Sequence, residues 1–174
     1  MSIRYLSDMP LVDFPSLPAT ARVWVFGSAT PLDAAAETAL LDAVDTFLRS
    51  WKAHGEPLTV GRLWDHRRFL TIAVDTTQAH ASGCSIDGLF RELQRIDAQF
   101  GSSLVGGGRL FYETPGGVIQ CAERRDVDAL VARGEVELDT PVFDTTVQTL
   151  QEWRDRFRTT VRSHWAGTLF ATSA

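Results

Sequence analysis

The run Phe69-Leu70-Thr71-Ile72-Ala73-Val74 constrains this chain more than any other stretch. Its one polar side-chain group is the Thr71 hydroxyl, so it cannot alternate between core and water, and it is stable only as a strand covered on both faces. A chain of 174 residues, 44% of them hydrophobic, can supply both covers, because a domain of that size buries roughly 70% of the surface its unfolded form exposes. Disulfides and structural metals are therefore not required for folding, and the two cysteines, Cys84 and Cys121, are available for other chemistry.

Local signals place the elements around that strand. Residues 1–20, with Pro10, Pro15 and Pro18, read as an extended arm, and residues 21–174 as a single domain. Val23-Trp24-Val25-Phe26 is a short strand ended by Gly27 and Ser28. Thr30, Pro31 and Asp33 open a helix with Leu40, Val44, Phe47, Leu48 and Trp51 on one face and Gly55 as its stop. Residues 58–64 and 69–75 pair through Asp65-His66-Arg67-Arg68, read as a solvated turn. A second helix carries Ile86, Leu89, Phe90, Leu93, Ile96 and Phe100 and stops at Gly101. Residues 104–112 and 117–121 form a further hairpin through Thr114-Pro115-Gly116-Gly117, with the glycines at 106–108 as a bulge or a point of tight packing inside its first strand.

The order β-α-β-β-α-β predicts an α+β fold with a ferredoxin-like split βαβ core. After its last hairpin come a short helix over 126–133 ended by Gly134, an extended connector over 135–144, and a long arginine-rich helix over 145–165. The last helix places Val147, Leu150, Trp153, Phe157, Val161 and Trp165 on one side, a stripe that must cover the sheet or meet a second copy, so a homo-oligomer is one expected partnership.

A net charge of −5 argues against non-specific nucleic-acid binding. Lys52 is the only lysine, and the preference for arginine reads as codon bias rather than phosphate recognition. No apolar run approaches the ~20 residues of a membrane span, and Met1 to Ser16 lack an export signal, so the expectation is a cytoplasmic protein with reduced thiols and no membrane partner.

The segment His80-Ala81-Ser82-Gly83-Cys84-Ser85-Ile86-Asp87 joins a buried strand to a helix. The first helical turn leaves backbone N–H groups unpaired and carries partial positive charge, which favours a thiolate or a bound anion. Cys84 is thus a candidate nucleophile or redox thiol, with His80 or His54 as base and Asp87 as a nearby carboxylate. Ser82, Gly83 and Ser85 become candidate contacts for a small anionic ligand. The competing reading makes Ser82 or Ser85 a cap, Asp87 a dipole complement and Cys84 a small buried residue, with His54 a cation at a helix end. His54, His80, Cys84 and Asp87 are permissible metal ligands, but C-x-x-C and H-x-x-x-H spacings are absent, so no metal and no cofactor is expected.

With the strand over 69–75 between them, Trp51-x-x-His54-Gly55 and Ala81-Ser82-Gly83-Cys84-Ser85-Ile86-Asp87 resemble the paired motifs of a family of small uncharacterised bacterial proteins, often given an automatic ABC-transporter ATPase label. The likeness runs from about Val23 through Asp139-Thr140-Pro141-Val142-Phe143 to Trp165 and implies no activity. The ATPase label fails on the residues, because a P-loop needs G-x-x-x-x-G-K-[ST] and Lys52 follows Trp51 instead. G-x-S-x-G is also absent. Two functions remain open: thiol chemistry or anion binding at residues 80–87, and a non-catalytic protein-binding module.

Overall fold

The computed structural model describes residues 11–77 and 79–171, so residues 1–10 of the arm expected over 1–20 lie outside the described residues. The protein is α+β and built in layers. Strands β1 (Arg22–Gly27), β4 (Val60–Asp65) and β5 (Phe69–Val74) form an antiparallel sheet in the order β1-β5-β4. The central strand is the apolar run, and all six of its residues are buried. Leu70, Ile72 and Val74 face helices α1 (Ala34–Ser50) and α2 (Gly83–Phe100), which pack through Leu40, Val44, Leu48, Leu89, Leu93 and Ile96.

Phe69 and Ala73 face the other way, into an aromatic layer shared with a second sheet. That sheet has the order β7-β6-β8-β9, from β6 (Arg109–Glu113), β7 (Ile119–Glu123), β8 (Pro141–Phe143) and β9 (Arg158–Thr160). Phe69 stacks on Phe143 at 5.0 Å and meets Phe111 and Phe157 edge-on at 5.0 and 5.3 Å. The far side of the second sheet is covered by α3 (Val127–Ala132) and by Val136, Val161 and Ala166. Leu11 to Thr20 are part of this packing, since Val12 N–H bonds to Val60 O at 2.9 Å and Phe14 and Leu17 are buried.

Where the structure departs from the sequence reading, a tertiary contact is the reason. The α+β class is as expected, but β6 opens the second sheet instead of pairing beside β1, so the ferredoxin-like sheet is not completed. Helix α1 does not open at Thr30 and Pro31: Asp33 is its N-cap, with a carboxylate that accepts Ala36 N–H at 2.8 Å, and the helix ends at Ser50. His54 and Gly55 do not terminate it. With φ of 53° and 84° they turn a two-residue hairpin between β2 (Lys52–Ala53) and β3 (Glu56–Pro57).

The 145–165 helix is not formed. Thr149 caps a short α4 (Leu150–Arg156), and the chain then enters β9 because Arg158–Thr160 complete the ladder of β8. Leu150 and Phe157 are consumed by one core and Val161 by another, so an oligomer formed through that helix loses its element. The glycines at 106–108 precede β6 rather than bulging it, and Cys121 lies mid-strand and half-buried. Arg68, expected in a solvated turn, is buried. Among the described residues, no helix is long and apolar enough to cross a membrane.

Candidate functional site

The N-terminus of α2 is built as a cap. Ser82 is extended at φ −77° and ψ 163°, and its hydroxyl accepts Ser85 N–H at 3.2 Å. The buried Ser85 hydroxyl donates to Ser82 O at 2.8 Å, while Ser85 O accepts the Trp51 indole N–H at 2.9 Å. The two motifs noted in the sequence therefore meet through Trp51 and Ser85, not through histidine and cysteine. Cys84, His80, Asp87 and His54 are all exposed, and no side-chain hydrogen bond or ion pair joins any of them to another described residue. Gly83 has open space where a Cβ would stand. Among the described residues, no three of His, Cys, Asp and Glu cluster closely enough to hold a metal ion.

His80 does line a cavity. About 350 Å³ of space lies between it and Thr20, Arg22, Thr76, Gln148 and Thr149. Arg22 and Gln148 also line a neighbouring cavity of about 420 Å³, bounded by Val23 to Phe26, Phe90, residues 104–108 and residues 145–148. The two spaces make one groove along the outer edge of β1, and neither lining includes a carboxylate side chain. Arg22 lies over the Trp24 ring, its guanidinium carbon 4.8 Å from the centroid.

The backbone of β1 explains the groove. Antiparallel pairing directs alternate residues toward β5 and away from it. Val23 N–H points away and bonds to Gln148 O at 2.9 Å, and Leu150 N–H returns to Ala21 O at 2.9 Å. Past this single bridge the outward N–H and C=O of Val25 have no partner among the described residues, and the next outward group, Gly27 O, receives only Arg109 Nη1 at 3.4 Å. The groove occupies the place beside β1 where a fourth plait strand was expected. Sequence reading missed Arg22, Gln148 and the Val25 backbone because strand adjacency is not local information. The triple glycine was the available signal, since glycine weakens a strand interior and so marks a segment that stays outside the ladder.

A second buried cluster lies at the end of β8. Asp144, only 2% exposed, accepts Thr146 N–H and Arg156 Nη1 at 2.8 Å each, and His164 Nε2 stands 3.9 Å from its Oδ1. Burial pushes the His164 imidazole below the ordinary histidine range, Asp144 pulls it back up, and Arg156 adds to the lowering.

No family model matches the chain, and comparison with curated proteins and with solved structures returns no match.

Proposed function

We propose that the protein is a non-catalytic binding module that accepts an extended peptide segment along the outer edge of β1. The observation that carries this reading is the unpaired Val25 backbone facing a cavity of about 420 Å³. A strand edge offers main-chain hydrogen bonds to any sequence, and flanking pockets select side chains. Here Phe90, Leu104 and Val105 supply an apolar wall and residues 145–148 a more polar one. Arg22 and His80 stand at the end of the groove with the hydroxyls of Thr20, Thr76 and Thr149, so an acidic side chain or terminal carboxylate of the segment is favoured there. On this reading the small anionic ligand expected from the sequence binds at His80 and Arg22 rather than at Ser82, Gly83 and Ser85.

The test uses peptides selected from a random library against the wild-type protein. N-methylation of alternate peptide nitrogens should weaken binding at least tenfold in one register and hardly at all in the other, since only one set of N–H groups faces β1. Equal tolerance in both registers would remove strand addition as the binding mode.

A second reading, thiol chemistry at Cys84, is favoured by the exposure of that residue on the first turn of α2. It lacks a hydrogen-bonded base, so His80, His54 and Asp87 would have to act without direct contact to the sulfur in this conformation. Alkylation of Cys84 measured against pH decides it. An apparent pKa well under that of a free thiol supports the reading, and an ordinary value ends it.

A further inference from the structure

Arg68 is the one arginine in the buried set among the described residues, at 4% exposure. The tight turn between β4 and β5 draws it inward: Arg68 N–H bonds to Asp65 O at 3.0 Å, and Ser28 N–H bonds to Arg68 O at 2.8 Å. Its guanidinium donates to no described residue, and Nη1 is sealed from water without an acceptor. Other arginines of the two sheets are partnered, Arg62 with Asp45 at 2.7 Å and Arg109 with Glu123 at 3.2 Å. The adjacent carboxylate, Asp65, is taken by His66, whose backbone N–H it accepts at 2.7 Å. Cys121 is the ionisable group that acts on Arg68, but burial pushes that thiol up, so it contributes a neutral sulfur and not a counter-charge.

Beside this side chain lies a cavity of about 440 Å³ between residues 29–31, His66 and residues 117–120 of the β6–β7 hairpin. No carboxylate lines it, whereas the Thr30 hydroxyl and the Gln120 amide are available donors, and the His66 imidazole stands at its wall with Nε2 3.5 Å from Asp65 Oδ2. Val118, 56% exposed and the large hydrophobic residue most open to solvent among the described residues, is also part of its wall. We propose that this cavity is a binding site for a compact oxyanion, a carboxylate or a phosphate group, held by the planar fork of Arg68. A guanidinium withdrawn from water without a counter-charge is among the costliest groups a fold can contain, and an entering oxyanion satisfies two parallel N–H donors at once. The site shares no lining residue with the β1 groove, so either can fail without the other.

The experiment is calorimetric titration of the full chain with sodium phosphate and, separately, sodium acetate, at ionic strength matched with sodium chloride. Wild type should bind at least one of the two saturably. Phosphate alone assigns a phosphate ligand, acetate alone a carboxylate, and both an unselective oxyanion site. Arg68→Met should weaken binding at least tenfold and melt no lower than wild type in chloride, because the unpaired charge is gone. Arg68→Lys keeps the charge, loses the fork and should also bind at least tenfold more weakly; it serves if the methionine variant does not fold. Absence of binding above chloride in wild type, or wild-type affinity in a folded Arg68 variant, overturns the proposal.

Discussion

Trp51 donates its indole N–H to the main-chain oxygen of Ser85 at 2.9 Å, tying the residue that ends α1 to the first turn of α2. The ring is held in turn by Trp24 of β1 at 6.2 Å and by Phe47 at 5.9 Å. One side chain therefore fixes the start of α2 relative to β1, and with it the loop that carries His80 to the end of the groove.

Trp51→Phe keeps an aromatic body and removes the donor, so it should cost about 1 kcal/mol, the net value of a hydrogen bond. Trp51→Ala should cost about 3–5 kcal/mol through lost packing. Urea denaturation measures both, and a phenylalanine variant as stable as wild type would show that the Ser85 contact contributes nothing.

The cap of α2 makes a separate prediction. Ser82→Ala should destabilise by about 1 kcal/mol and Ser82→Asp by much less, since aspartate caps as well and favours a helix N-terminus. Equal losses in the two variants would argue that the Ser82 hydroxyl matters for something other than the Ser85 N–H it accepts.

Close approach of the two sheets depends on Gly27. A Cβ there would stand 2.5 Å from Cζ of Phe111. Gly27→Ala should therefore cost about 1–3 kcal/mol by overpacking. Adding Phe111→Leu should recover part of that loss, visible as a non-additive double-mutant cycle; strict additivity would mean the two residues do not touch.

His164 predicts a pH dependence. Its imidazole titrates lower in the fold than its ordinary value of about 6.5 in the unfolded chain. The folded state thus resists a proton that the unfolded state accepts, so the stability His164 contributes is complete above about pH 6.5 and is lost as pH falls from there through the lower folded pKa. Glu92, held low by Arg95, and Glu152, held low by the Gln148 N–H, act in the same sense only at more acidic pH. Between pH 7.5 and 5.5 wild type should lose stability in urea melts more steeply than His164→Gln, and parallel slopes would refute this assignment.

What was legible in the sequence was what short-range chemistry decides. Helix α2 follows its reading from Ser82 to Gly101, because the cap, the apolar spacing and the left-handed stop at φ 62° all lie within the segment itself. Strand β5 was legible because an unbroken apolar run leaves one environment open to it. The 145–165 segment was misread because its spacing suits a helix equally well, and the decision rests with the edge of β8, a partner far from local view. Arg68 was misread for the same reason, since a turn flanked by polar residues says nothing of the β6–β7 hairpin that covers it. Of the candidate site residues, His80 alone reaches a cavity lining described here, while Ser82 and Ser85 are occupied with holding the helix end.

The most direct check on the groove is residue-resolved hydrogen exchange along β1, on the free protein and with a selected peptide bound. Val25 N–H should exchange far faster than Trp24 and Phe26 N–H in the free protein, because those two point to β5, and should slow at least tenfold on binding. A Val25 amide already as protected as its neighbours, or one that the peptide leaves unchanged, would mean that the β1 edge is not where this protein binds.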